Sequence, residues 1–274
     1  MHVVYGLPAL KTHAKCILVV RREGDGVRHY LHVGTGNYNA KTARLYTDFG
    51  LLTTDEELGA DVADMFNFLT GFARPRGYRK VLVAPAHMRQ GIVQEIERTI
   101  AVHQDGRPAR IRMKMNSLVD RECIQALYRA SRAGVPVEIN ARGICCLKPG
   151  VPGVSENIRV VSVVGRFLEH SRIYAFERDG DCTVMIGSAD LMPRNLDTRV
   201  ELLTPIRDES LRGDLTDTLD RCFADNTNLW ELDADGHWTR RSRDGGEPRN
   251  VQRELMSAHA AEAAEASAQS SAQA

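Results

Sequence analysis

The chain has 274 residues, 43% of them hydrophobic and 26% charged, and its 36 basic and 36 acidic side chains cancel to a net charge of zero. Such a composition can bury a full core, and it makes no electrostatic case for nucleic acid or any other polyanion except through a local concentration of Arg and Lys. No apolar run approaches the roughly 20 residues that cross a bilayer, and the opening MHVVYGLPALKTHAK lacks the pattern of a secretory leader.

In chain order, Cys16–Arg22 and Val27–Val33 are β-branched apolar runs around Glu23-Gly24-Asp25-Gly26, which predicts a hairpin. Apolar spacing predicts a helix over Asp61–Phe72, and Ala73–Lys80, with its Pro and Gly, reads as a linker. Strands over Lys80–Ala84, Arg110–Met115 and Val135–Asn140 then alternate with helices over Met88–Val102 and Asp120–Ala133, which predicts an α/β domain. Further strands are expected at Val160–Val164, Arg172–Glu177, Cys182–Ile186 and Val200–Thr204. A helix is expected at Ser210–Phe223 and a small hairpin across Trp230–Arg241. The tail, rich in Ala, Ser, Glu and Gln beyond about Glu254, has too few large apolar groups to pack and reads as disordered or frayed helix.

Six cysteines (Cys16, Cys123, Cys145, Cys146, Cys182 and Cys222) form no CxxC pair and no metal-ligand spacing. They read as reduced, buried thiols of a cytoplasmic protein. The basic clusters Arg21-Arg22, Arg74-Pro75-Arg76, Arg79-Lys80 and the alternating Arg110, Arg112 and Lys114 read, each alone, as solvated surface.

The chain repeats a layout. His13-Ala14-Lys15, a hairpin and Gly34-Thr35-Gly36-Asn37 are answered by His170-Ser171-Arg172, a hairpin and Gly187-Ser188-Ala189-Asp190. On a strand, the imidazole and the cation of each His-x-cation triplet would share one face. Two such units related by a pseudo-twofold would bring two histidines to opposite sides of one phosphorus.

With these residues in hand, a family becomes legible. Lys11-Thr12-His13-Ala14-Lys15, Gly34-Thr35-Gly36-Asn37-Tyr38-Asn39 and Thr42-Ala43-Arg44-Leu45-Tyr46-Thr47-Asp48 resemble the first catalytic domain of polyphosphate kinases. Arg142–Leu147, Ser155–Ile158, Gly165–Arg172, Gly187–Asp190 and Arg194–Asp197 resemble the second. The resemblance implies an α/β fold of two phospholipase D-like domains with mixed sheets flanked by helices, the first truncated at its N-terminus. The expected division is 1–79, 80–242 and a low-complexity tail over 243–274. It implies reversible transfer of the terminal phosphate of ATP to polyphosphate, with His13 as the residue phosphorylated and His170 as the second active-site histidine. Tyr46, Arg142 and His170 match nucleotide-contacting positions. ATP/ADP and polyphosphate would be the partners, with no nucleic acid and no membrane span, and the full-length protein would be a cytoplasmic homo-oligomer. Magnesium is expected from the family, with its residues outside this chain, so no metal residue is assigned. Where the family commonly has a basic pair, Thr198 precedes Arg199.

Histidine attacks phosphorus as neutral imidazole, which an ordinary pKa near 6.5 supplies at pH 7. Lys15, Arg142 and Arg172 suit charge neutralisation on the transferred group. His170 could act as a general acid or as an electrostatic stabiliser. A phosphodiesterase that uses water as acceptor, or a binding module without turnover, would share much of this layout.

Overall fold

The computed structural model describes residues 3–71, 77–243 and 245–272. The first repeat runs through β1 (Lys11–Thr12), β2 (Cys16–Glu23), β3 (Gly26–Gly34), α1 (Ala40–Ala43), β4 (Tyr46–Thr47), β5 (Gly50–Thr53) and α2 (Glu56–Leu69). The expected hairpin is there, with Cys16 opposite Val33 and Glu23 opposite Gly26. Helix α2 starts earlier than apolar spacing alone predicts. Asp55 caps it through Leu58 N at 3.0 Å, and Glu56 and Glu57 complement the positive end of the helix dipole.

The chain then alternates as β6 (Leu82–Ala84), α3 (Met88–Gln104), β7 (Ala109–Met115), α4 (Arg121–Arg132), β8 (Val137–Ala141) and β9 (Ile158–Val163). The second repeat follows as β10 (Leu168–Glu169), β11 (Ile173–Arg178), β12 (Asp181–Gly187), α5 (Pro193–Thr198), β13 (Arg199–Pro205) and α6 (Glu209–Ala224). Two short strands, β14 (Leu229–Leu232) and β15 (Trp238–Arg240), and the helix α7 (Val251–Ala272) complete it. One mixed sheet has the order β1-β13-β12-β11-β7-β8-β9-β14-β15, with β6 also on β13; β2-β3-β5 form a second sheet and β10-β4 a third. The α/β architecture with mixed sheets is thus the one read from the sequence.

Strands β7, β8 and β9 run parallel. Ile111, Met113 and Met115 pack against α3 and α4, whose Ile92, Ile96, Ala126, Leu127 and Ala130 recur at helical spacing. The burial of each large aliphatic side chain there is worth about 1.5–3 kcal/mol. The opposite face of β7 carries Arg112 and Lys114, which corrects the reading of that cluster as solvated: both side chains are 2% exposed. A central strand covered on both faces can hold cations only as pairs. Arg112 meets Glu177 and Asp220, and Lys114 lies 3.0 Å from Glu169. Arg79 likewise pairs with the wholly buried Asp61 at 2.9 Å. Arg74 and Arg76, and residues 72–76 of the expected linker, lie outside the described residues.

The repeats differ in how they are covered. Ile17 and Val19 occupy the positions on β2 that Tyr174 and Phe176 occupy on β11, counted from His13 and His170. The first two are 49% and 47% exposed and the last two fully buried. Two further expectations need correction. The segment 243–274 contains α7 rather than disorder along its length. Val251 N bonds Asp225 Oδ2 at 3.0 Å, and Gln252 Nε2 bonds Glu169 Oε1 at 2.6 Å and Phe167 O at 2.9 Å. Ala-rich composition favours helix, and its first turns dock through these bonds together with the apolar Val251 and Leu255. Of the six free cysteines only Cys123 and Cys222 are buried; Cys146 is exposed.

Candidate active site

Neither histidine sits on a strand, which corrects the sequence reading. His13 to Lys15 bridge β1 and β2, and His170 to Arg172 bridge β10 and β11. Each triplet follows a two-residue strand in parallel pairing with the other repeat. Thr12 lies opposite Val200, so His13 comes next to Glu201; Glu169 lies opposite Thr47, so His170 comes next to Asp48. His13 Nδ1 is 2.8 Å from Glu201 Oε2, and His170 Nδ1 is 2.8 Å from Asp48 Oδ1.

The hydroxyl partners of these two carboxylates repeat as well. Thr35 Oγ1 donates to Asp48 Oδ1 at 2.6 Å, and Ser188 Oγ donates to Glu201 Oε2, each pair separated by 13 residues. Asn195 Nδ2 adds a bond to Glu201 Oε1 at 2.6 Å. A carboxylate only accepts, so each imidazole carries its proton on Nδ1 and has its lone pair on Nε2, which for His170 faces the Arg172 guanidinium. Asp48 and Glu201 received no role from the sequence. Both acids lie 13 residues after the hydroxyl of a glycine-led turn, but Asp190 and Asp197 intervene before Glu201, so that interval alone would not have singled it out.

Lys15 joins the two halves. It is 6% exposed, and its Nζ has no hydrogen-bond partner among the described residues. Burial pulls the ammonium down to about 8, with Glu201 and Asp48 supporting its charge and Arg172 and Arg199 opposing it. Arg172, 3% exposed, donates to Asp190 through Nε at 3.2 Å and Nη2 at 3.1 Å. Its Nη1 bonds His170 O at 2.7 Å and lies 3.1 Å from His170 Nε2. Burial works against the Asp190 carboxylate, but Arg172 and the Asn116 amide more than offset it, so Asp190 lies below the usual carboxylate range. Burial also lowers the His170 pKa, with Arg172 adding to the effect and Asp48 resisting it.

The two nucleotide candidates stand on the His170 side. The Tyr46 ring centroid is 5.0 Å from that of His170. Arg142 bonds Asn116 Oδ1 and Glu169 O through Nε, each at 3.0 Å, and burial lowers its pKa from the ordinary arginine value. Glu169 itself turns to Lys114, Gln252 and Thr47 rather than to His170. The acids nearest the histidines are already bonded to N–H and O–H donors and offer no magnesium ligand set. Asp233, Asp235 and His237, grouped between β14 and β15, belong to the opposite end of those strands.

A duplicated mixed α/β fold with two carboxylate-anchored histidines around a shared Lys–Arg centre is the class that these features define. Residues 1–75 match the family described as polyphosphate kinase C-terminal domain 1, and residues 81–252 match polyphosphate kinase C-terminal domain 2. The chain belongs to the polyphosphate kinase family. It is 55% identical to the polyphosphate kinase of Streptomyces coelicolor over 259 residues, 94% of this chain and 35% of that protein. It is 56% identical to polyphosphate kinase 1 of Chlorobaculum tepidum over 238 residues, 87% of this chain and 34% of that one. The crystal structure of the Porphyromonas gingivalis polyphosphate kinase superposes with a TM-score of 0.88 at 36% identity, covering 93% of this chain and 40% of its own. The chain therefore spans about a third of the length of the curated relatives it matches. No helix among the described residues is long and apolar enough to cross a membrane.

Proposed function

We propose that this chain carries the phosphoryl-transfer centre of a reversible ATP:polyphosphate phosphotransferase, with His13 as the covalent carrier. The observation that carries the reading is Lys15: a buried ammonium with no hydrogen-bond partner among the described residues, under the influence of both carboxylates that anchor the imidazoles, suits an anion that supplies the missing acceptors. Neutral His13 attacks the terminal phosphorus of ATP through Nε2. The N–P bond forms as the bond to the bridging oxygen breaks, and ADP leaves with the bonding electron pair. A terminal oxygen of polyphosphate then attacks the same phosphorus, the N–P bond breaks, and the polymer is one unit longer.

Lys15 and Arg172 neutralise the oxygens of the moving group, and Glu201 supports the positive charge that the His13 ring gains. The depressed pKa of His170 favours its neutral form, so it acts first as an acceptor. In that form it takes a proton from the incoming terminal phosphate and returns it in the reverse direction. Tyr46 and Arg142 hold the nucleotide. Magnesium would arrive with the phosphates, held by residues other than the acids of this centre.

The test is acid-labile labelling of the full chain by ATP labelled at the γ position. Wild type takes up label and His13→Ala takes up none; equal labelling of both would discard the assignment.

A further inference from the structure

We propose that an arginine-lined strip along the same sheet edge as His170 binds the distal stretch of a linear polyphosphate whose terminus lies at His13; this rests on the function proposed above. The strip consists of Arg166, Arg253, Arg240, Arg243 and Arg241. Its position follows from topology. Asn116 and Arg142 follow the ends of the parallel strands β7 and β8, and Arg166 lies three residues beyond the end of β9. Strand β14 runs against β9, with Leu229 opposite Val163, so its start comes to that edge. Arg240 pairs with Trp230, and Arg241 N bonds Leu229 O, which brings the end of β15 there too. From β11 to β15 the edge crosses five strand spacings, about 24 Å.

The strip is continuous. Arg166 and Arg253 line one hollow, Arg253, Arg240 and Arg243 the next, and Arg240, Arg243 and Arg241 a third. It abuts the centre through Gln252, which bonds both Phe167 and Glu169, the residues on either side of Leu168.

Its charge is also unspent. All five arginines are exposed, and none has a carboxylate partner among the described residues, whereas Arg110, Arg112, Arg159, Arg178 and Arg221 do. Neutral groups hold three of them in place. Arg240 Nη2 bonds Thr227 O at 2.6 Å, Arg241 Nη1 bonds Phe223 O at 3.4 Å, and the Arg166 guanidinium lies 5.4 Å from the centroid of the Phe167 ring. The acid that lines these hollows among the described residues, Glu254, is taken up by Arg249 at 2.7 Å and Arg221 at 3.3 Å. A row of guanidinium forks, three of them held by neutral groups, fits a polymer with phosphate at every unit and no bases to seat.

The experiment compares tripolyphosphate, too short to reach the strip from the centre, with long-chain polyphosphate on the full chain. Arg166→Gln/Arg240→Gln/Arg253→Gln is set against wild type, with Arg166→Gln/Arg253→Gln as a milder variant that leaves the Arg240 bond intact. The expected result is a loss of about tenfold or more in long-chain affinity with a shallower salt dependence, while tripolyphosphate affinity holds. Unchanged long-chain affinity in both variants, or no preference for long chains in wild type, overturns the strip and leaves the centre standing. Failure of wild type to bind tripolyphosphate or take label overturns the functional reading, and the strip with it. A single-stranded oligonucleotide that binds wild type as tightly, and is lost in the same variants, would reassign the surface to nucleic acid.

Discussion

The wholly buried carboxylate of Glu201 lies 2.8 Å from Nδ1 of His13, a residue 188 positions earlier in the chain. It fixes the imidazole tautomer from the far repeat. Replacing it by glutamine keeps the volume and removes the charge that favours a phosphorylated ring. Glu201→Gln should slow labelling of His13 by about 100-fold or more while the fold persists. Stopped-flow labelling with a melting curve checks this, and an unimpaired rate would show that the bond only packs the site.

Lys15 should trade stability for binding. Its charge is penalised by burial and meets no hydrogen-bond acceptor among the described residues. Lys15→Met therefore raises the melting temperature at pH 7, by an amount corresponding to about 1–3 kcal/mol, while phosphate-ligand binding collapses. A lower melting temperature would mean that Glu201 and Asp48 already satisfy the ammonium.

The sign of the pH effect follows from the same group. Its pKa falls from 10.5 to about 8 on folding, so between those values the unfolded chain binds the extra proton. Stability contributed by this residue is lowest below about pH 8 and rises as pH climbs through the window, whereas anion affinity falls as the ammonium is lost. Calorimetry of wild type and Lys15→Met across pH 7–10 separates the two trends; parallel curves would contradict the shift.

His170 titrates below its ordinary value because burial opposes its charge, with Asp48 pulling the other way. Its folded pKa being the lower one, stability from this group falls as pH drops below about 6.5. Asp48→Asn should depress the pKa further. Histidine NMR titration reads it directly, and a rise in the mutant would mean that the Asp48 bond does not favour the imidazolium.

Helix α7 matters only at its start. Gln252→Leu leaves a buried Glu169 oxygen without its amide donor and should cost about 1–3 kcal/mol. Truncation after residue 257 removes largely exposed turns and should leave the melting temperature unchanged. Equal melting of wild type and Gln252→Leu would show that the docking is incidental.

Much of this was legible in the residues themselves. The duplicated His-x-cation layout pointed to His13, His170, Lys15 and Arg172, whereas Tyr46 and Arg142 came into view only through the family resemblance. Strand–helix alternation was strong because β7, β8 and the helices between them carry clean apolar periods. Other features were not legible. Alternation marks β7 as a strand but does not say that both faces are covered, so the burial of Arg112 and Lys114 was missed. Glu201 and Asp48 meet their histidines across 188 and 122 residues, and no local pattern announces such a pairing.

The crossed pairing has a consequence for the chain as a whole. Either repeat taken alone has an imidazole with nothing to seat its proton and an acid with no ring to seat. A lone unit of this design could orient its histidine only by docking against a second copy in twofold fashion, and here the covalent linkage makes that partnership permanent. Correct joining of the halves is therefore itself the condition for a competent nucleophile.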